Sequence, residues 1–160
     1  MSRTKAREIA LHLIFEMGFR QFEESDLDDR LDEAIMASIS GDIALYAGKL
    51  SADQTTYIRA TVLGVARHLA TLDQTIETYS RGWKLSRLSR MTMAVLRLAI
   101  YEIRYADDVP AGVAINEAVE LAKRYDTAEA ASFINGVLGS VVRAGDDRQT
   151  ADAKAEQPDG

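Results

Sequence analysis

Apolar residues along this chain recur at spacings of three and four, and runs alternating with period two are missing. That pattern predicts an all-α protein. The first helix is expected from about Arg3 to Gln21, with Ala6, Ile9, Ala10, Leu13, Ile14 and Met17 on one stripe. Phe15 and Phe19 fall off that stripe, on the side of Glu8 and His12. A second core around the helix, or a partner-binding patch, would each account for two such rings. A second helix over about Leu27–Ile39 is capped by Asp26, followed by a loop over Ser40–Leu50. Ser51 with Gln54 reads as a capping box that opens a third helical stretch, continuing to about Ser80 with a bend near Leu69–Thr71.

Arg81–Gly82 breaks the pattern. A long helix over about Ser86–Tyr105 is apolar around most of its circumference, so it should be central. Its polar strip carries Arg90, Arg97 and Arg104 beside Tyr101. Glu102 falls among apolar neighbours and needs an arginine or backbone partner. Asp107, Asp108 and Pro110 interrupt the chain again. Helices over about Val113–Tyr125 and Ala128–Arg143 follow. Residues 146–160 lack apolar periodicity and read as a disordered polar tail. These expectations amount to about seven helices in one domain over residues 1–145, with helical subdomains of about 1–69 and 70–145.

Composition narrows the function. The 160 residues carry 19 basic and 25 acidic side chains, a net charge of −6, so nucleic-acid binding would need local basic patches. Cysteine is absent and there are two histidines, His12 and His68, which leaves thiolate chemistry out and little for a triad or a metal site. No phosphate loop or dinucleotide fingerprint is found. An enzyme is therefore not expected, and neither a cofactor nor a metal. No apolar run reaches the roughly 18 residues of a spanning helix, and no signal peptide is evident, so the chain reads as cytoplasmic. The stretch from Arg81 to Arg104 holds six bases and one acid. Arg3, Lys5 and Arg7 stand at one end without an intervening acid. Lys123 and Arg124 adjoin Tyr125, and Phe133 sits at the edge of the last apolar stripe. Cations beside rings are what single-stranded RNA recognition uses, although each ring taken singly also fits core packing.

Three segments together resemble one family. They are Arg3-x-Lys5-Ala6-Arg7-Glu8-x-Ala10 with Phe15; Trp83-x-Leu85-x-Arg87-Leu88 leading to Leu96-Arg97-Leu98-Ala99-Ile100-Tyr101-Glu102-Ile103; and Val109-Pro110 through Asn116-Glu117-Ala118 to Lys123, ending in Phe133-Ile134-Asn135-Gly136-Val137-Leu138. Over Arg3 to about Val142 the chain resembles the NusB family of transcription antitermination factors. The resemblance implies two three-helix subdomains and binding to the boxA RNA of ribosomal RNA transcripts. It implies a complex with the small-subunit ribosomal protein acting as NusE, and joint action with other Nus factors and RNA polymerase. By the same resemblance, Arg3, Lys5, Arg7, Tyr125, Glu129 and Phe133 are expected RNA-contacting residues, and the cation–ring pattern adds Lys123 and Arg124. Phe15, Phe19 and Thr92 are expected to face the protein partner. An acidic–basic pair is common in the family where Thr92 and Met93 stand, and a basic residue where Ser132 stands. A stand-alone RNA-binding module related to ribosomal RNA methyltransferases, and a purely structural helical homodimer, remain as other readings.

Overall fold

A computed structural model describes residues 3–17, 29–33, 50–80 and 82–156. Among these there are six α-helices and no strand: α1 (Arg3–Met17), α2 (Ala52–Arg67), α3 (Leu69–Tyr79), α4 (Arg90–Tyr105), α5 (Ala111–Tyr125) and α6 (Ala128–Glu156). Residues 29–33 are also helical, and Leu31 is fully buried. The rest of the expected second helix and the 40–49 loop lie outside the described residues. No helix among the described residues is long and apolar enough to cross a membrane.

The expected boundaries follow local chemistry. The Ser51 side chain accepts from the Gln54 amide at 3.1 Å, and Gln54 Oε1 accepts from the Ser51 amide at 2.9 Å, which completes the capping box of α2. The anticipated bend falls at His68, which separates α2 from α3. The long helix starts later than expected. Leu85–Arg87 form a 3-10 turn, and Ser89 caps α4 by accepting from the Thr92 amide at 3.0 Å. Gly82 has a φ of +89°, a left-handed turn that glycine adopts without strain. The last helix runs on to Glu156 instead of giving way to coil near Arg143. An established helix needs no new nucleus to extend, and residues after Gly145 hold no proline before Pro158.

The buried cluster is continuous from α1 to α6. α4 supplies Val95, Leu96, Leu98 and Ile100, each buried to 2% or less, and packs against every other named helix. Its arginines bind it to α3: Arg97 takes Asp73 with two bonds of 2.8 and 2.9 Å, and Arg104 donates to Thr75 Oγ1 at 2.7 Å. At Gly64 of α2 a Cβ would lie 2.3 Å from the Tyr101 ring, so glycine is what admits that ring against the helix. α6 contributes Ala131, Ile134, Val137, Leu138 and Val141 to the core. Removing 146–160 should therefore leave the fold intact. A shift in unfolding free energy of under about 1 kcal/mol is expected by urea titration, and a larger loss would mean that the tail docks.

Candidate RNA and partner interface

The basic N-terminal turn is anchored from below. Arg7 is 4% exposed and meets Glu102, 1% exposed, through Nε–Oε1 and Nη2–Oε2 bonds of 2.9 Å each. The Tyr57 hydroxyl donates to the same carboxylate at 3.1 Å, and burial together with the Glu102 charge holds that phenol far above its ordinary pKa. Glu102 thus has the arginine partner its apolar surroundings require. Arg7, expected to touch RNA, is placed with its fork on a buried carboxylate. α1 is buried almost all round, with Arg7, Glu8 and Leu11 inside as well as Ala6, Ile9, Ala10, Leu13 and Ile14.

Arg3, Lys123 and Arg124 are exposed, and each faces a carboxylate. Arg3 bonds Asp108 at 2.7 Å and lies over the Tyr57 ring at 5.0 Å, and Asp108 is held below its ordinary pKa by that bond. Lys123 is 3.6 Å from Glu120, and exposed Arg124 bonds Glu8 at 2.9 Å. The Tyr125 hydroxyl donates to the same Glu8 oxygen, and its ring meets His12 edge-on at 5.1 Å. Burial and Glu8 push the Tyr125 phenol up to about 12. Thr4 reaches Glu117 at 3.2 Å. These contacts run in order along the seam between α1 and α5, with Arg3 at one end and Arg124 and Tyr125 at the other.

Beyond that end, Asp126 accepts hydroxyl bonds from Ser89 at 2.8 Å and Thr92 at 2.7 Å, at the N-terminus of α4. A carboxylate there also suits the helix dipole. Thr92, expected to face a partner, is 4% exposed and its hydroxyl donates to Asp126. It lines a cleft of ≈ 270 Å³ with Trp83, Arg87, Glu129 and Phe133. Half-buried Phe133 packs on the core and meets Trp83 edge-on at 5.9 Å. Trp83, 54% exposed, was not singled out from sequence, although it is a lone tryptophan in a basic linker. Phe15 is half-buried against the core and lines a separate cleft of ≈ 390 Å³ beside Asp73 and Arg97. Leu88 belongs to both clefts. Lys5 is partly buried and engaged, and Phe19 lies outside the described residues. Among the described residues no group of three or more His, Asp or Glu could hold a metal ion.

Comparison with known proteins gives a consistent result. A sequence profile of the NusB family matches residues 4–143. The transcription antitermination protein NusB of Acetivibrio thermocellus is 45% identical over 143 residues, covering 89% of this chain and 90% of its own. That of Symbiobacterium thermophilum is 40% identical over the same shares. The solved structure of T. maritima NusB superposes with a TM-score of 0.73 at 31% identity, covering 89% of this chain and 92% of that one. A complex of antitermination factors NusB and NusE with dsRNA shares the fold, with a TM-score of 0.71 at 24% identity, covering 89% and 96%.

Arg7→Ala should cost about 3–5 kcal/mol in urea unfolding, because Glu102 is left buried and unpaired. The double replacement Arg7→Met with Glu102→Leu should recover most of that loss. His12 generates a second expectation. Among the described residues its buried Nε2 has no partner, and burial lowers its pKa from 6.5 against the opposing pull of Glu8. The unfolded chain then binds the proton first, so this contribution is present above pH 6.5 and lost as pH falls through and below it. Thermal melts should show a lower midpoint at pH 5.5 than at 7.5, and a smaller drop in His12→Gln.

Proposed function

This chain belongs to the NusB family, and on that footing we propose that it is a transcription antitermination factor. It binds boxA RNA of ribosomal RNA transcripts together with the small-subunit ribosomal protein acting as NusE. With other Nus factors, the pair helps RNA polymerase pass terminators. No reaction is catalysed, and its work lies in the cytoplasm, where transcription takes place.

The observation that carries this reading is the seam between α1 and α5, which sets Arg3 at one end and Arg124 with Tyr125 at the other. From there the chain leads through Asp126 to the Phe133–Trp83 pair. Cations and ring faces in sequence suit a single strand, whose phosphates and unstacked bases need one of each. Arg3, Lys123 and Arg124 each already have a carboxylate, and the chain is acidic. RNA must displace those carboxylates, which weakens its binding to the chain alone. A cationic protein partner supplies the missing attraction, so assembly is cooperative. Phe15, in the neighbouring cleft, is the contact assigned to that partner.

Titrating boxA and scrambled RNA into the chain, alone and with the ribosomal protein, should give weak binding alone and tighter, boxA-selective binding with the partner. Equal affinity in both states would refute the coupling. Arg3→Ala should weaken both RNAs alike and reduce the log–log salt slope by about 0.7, the value for one single-strand phosphate contact.

A further inference from the structure

On the α3–α6 side of the Trp83–Phe133 pair lies a second cleft of ≈ 340 Å³ that none of the expected RNA contacts uses except Phe133. Its walls are Trp83 and Phe133 at one end, with Ser132, Gly136, Ser140 and Arg143 along α6. We infer that this cleft is a nucleobase subsite: one unstacked RNA base lies against the exposed Trp83 ring, and Arg143 takes the adjoining phosphate. The inference rests on the RNA-binding reading above and extends it to residues that reading does not assign.

Four observations carry it. Trp83 is 54% exposed, yet its backbone is pinned at both ends. Its amide donates to the Ser80 carbonyl at 3.3 Å, and its carbonyl accepts from the buried Ser80 hydroxyl at 3.0 Å. A large ring held in water by a fixed backbone is ready to stack without a further ordering cost. Second, Arg143 is the only charged residue lining this cleft among those described, in a chain of net charge −6. The neighbouring cleft instead carries Asp126 and Glu129 against Arg87. Third, the Arg143 guanidinium lies along α6, with Nη2 3.2 Å from Ser140 Oγ, so cation and hydroxyl are presented together. Fourth, a Cβ at Gly136 would meet nothing within 4 Å, so the absence of a side chain there keeps the cleft open. A flat ligand with polar edges and a phosphate matches ring, hydroxyls and guanidinium together. An apolar side chain of a protein partner would leave the Arg143 charge without a counter-charge.

Gly136→Leu provides the central test, because it fills the cleft while replacing a helical glycine with a strong helix former. The full chain with the ribosomal protein is titrated with single-stranded boxA RNA. Gly136→Leu should raise the melting temperature and still weaken RNA binding by at least about fivefold, the lower end for one lost stacked base. Trp83→Ala should weaken RNA binding to a similar extent without a change in salt slope, and Trp83→Phe should restore most of the affinity. Arg143→Ala should reduce the slope by about 0.7. Gly136→Leu and Trp83→Ala that bind RNA like the wild type would overturn the subsite. So would variants that weaken the ribosomal protein's binding without RNA and leave RNA affinity alone, since the cleft would then belong to the protein. A wild-type complex that binds no RNA would instead overturn the functional reading itself.

Discussion

The buried pair of Arg7 and Glu102 constrains the rest of this structure. Two charges inside a helical core are costly, and their mutual attraction offsets that cost only when the fork and the carboxylate are aligned and every lone pair has a donor. Here two bonds of 2.9 Å and the Tyr57 hydroxyl meet that demand. Sliding α1 by one turn against α4 would leave both charges buried and unpaired. The pair therefore selects one register rather than supplying net stability. α1 is buried on nearly every side, so its apolar residues alone would specify that register less sharply.

What lies at the surface follows from that register. With Arg7 fixed inward, Arg3 one turn earlier reaches Asp108 and the Tyr57 face, and Glu8 one residue later reaches Arg124 and Tyr125. The same helix that fills the core thus sets the spacing between the N-terminal cation and those at the end of α5. An ion pair between exposed groups is worth little in water and is screened by salt. Such pairs hold side chains near their positions and yield readily to a polyanion.

The bond from Thr92 and Ser89 to Asp126 extends this arrangement to the start of α6. It ties the α5–α6 connection to the N-terminus of α4, close to the linker that carries Trp83. The rings of Trp83 and Phe133 come from segments fifty residues apart in sequence. They meet because α6 packs on both α3 and α4. Neither ring has a local reason to meet the other.

Much was legible in the chain before any coordinates. Helical periodicity, the Ser51 capping box, the break at Arg81–Gly82 and the centrality of the helix ending at Tyr105 are local or nearest-turn effects, and short-range physics determines them. The need of Glu102 for an arginine was also legible, because burial of a lone charge is forbidden wherever it happens. Which arginine answers it was not, and Arg7 was read as a phosphate contact on the strength of its basic neighbours. Phe15 off the main stripe is equally open between core and surface from the sequence alone. A sequence gives each side chain its chemistry and its place on a helix. Only packing decides how many sides of that helix are covered, and whether a charge ends in water or on a buried partner from a segment almost a hundred residues away.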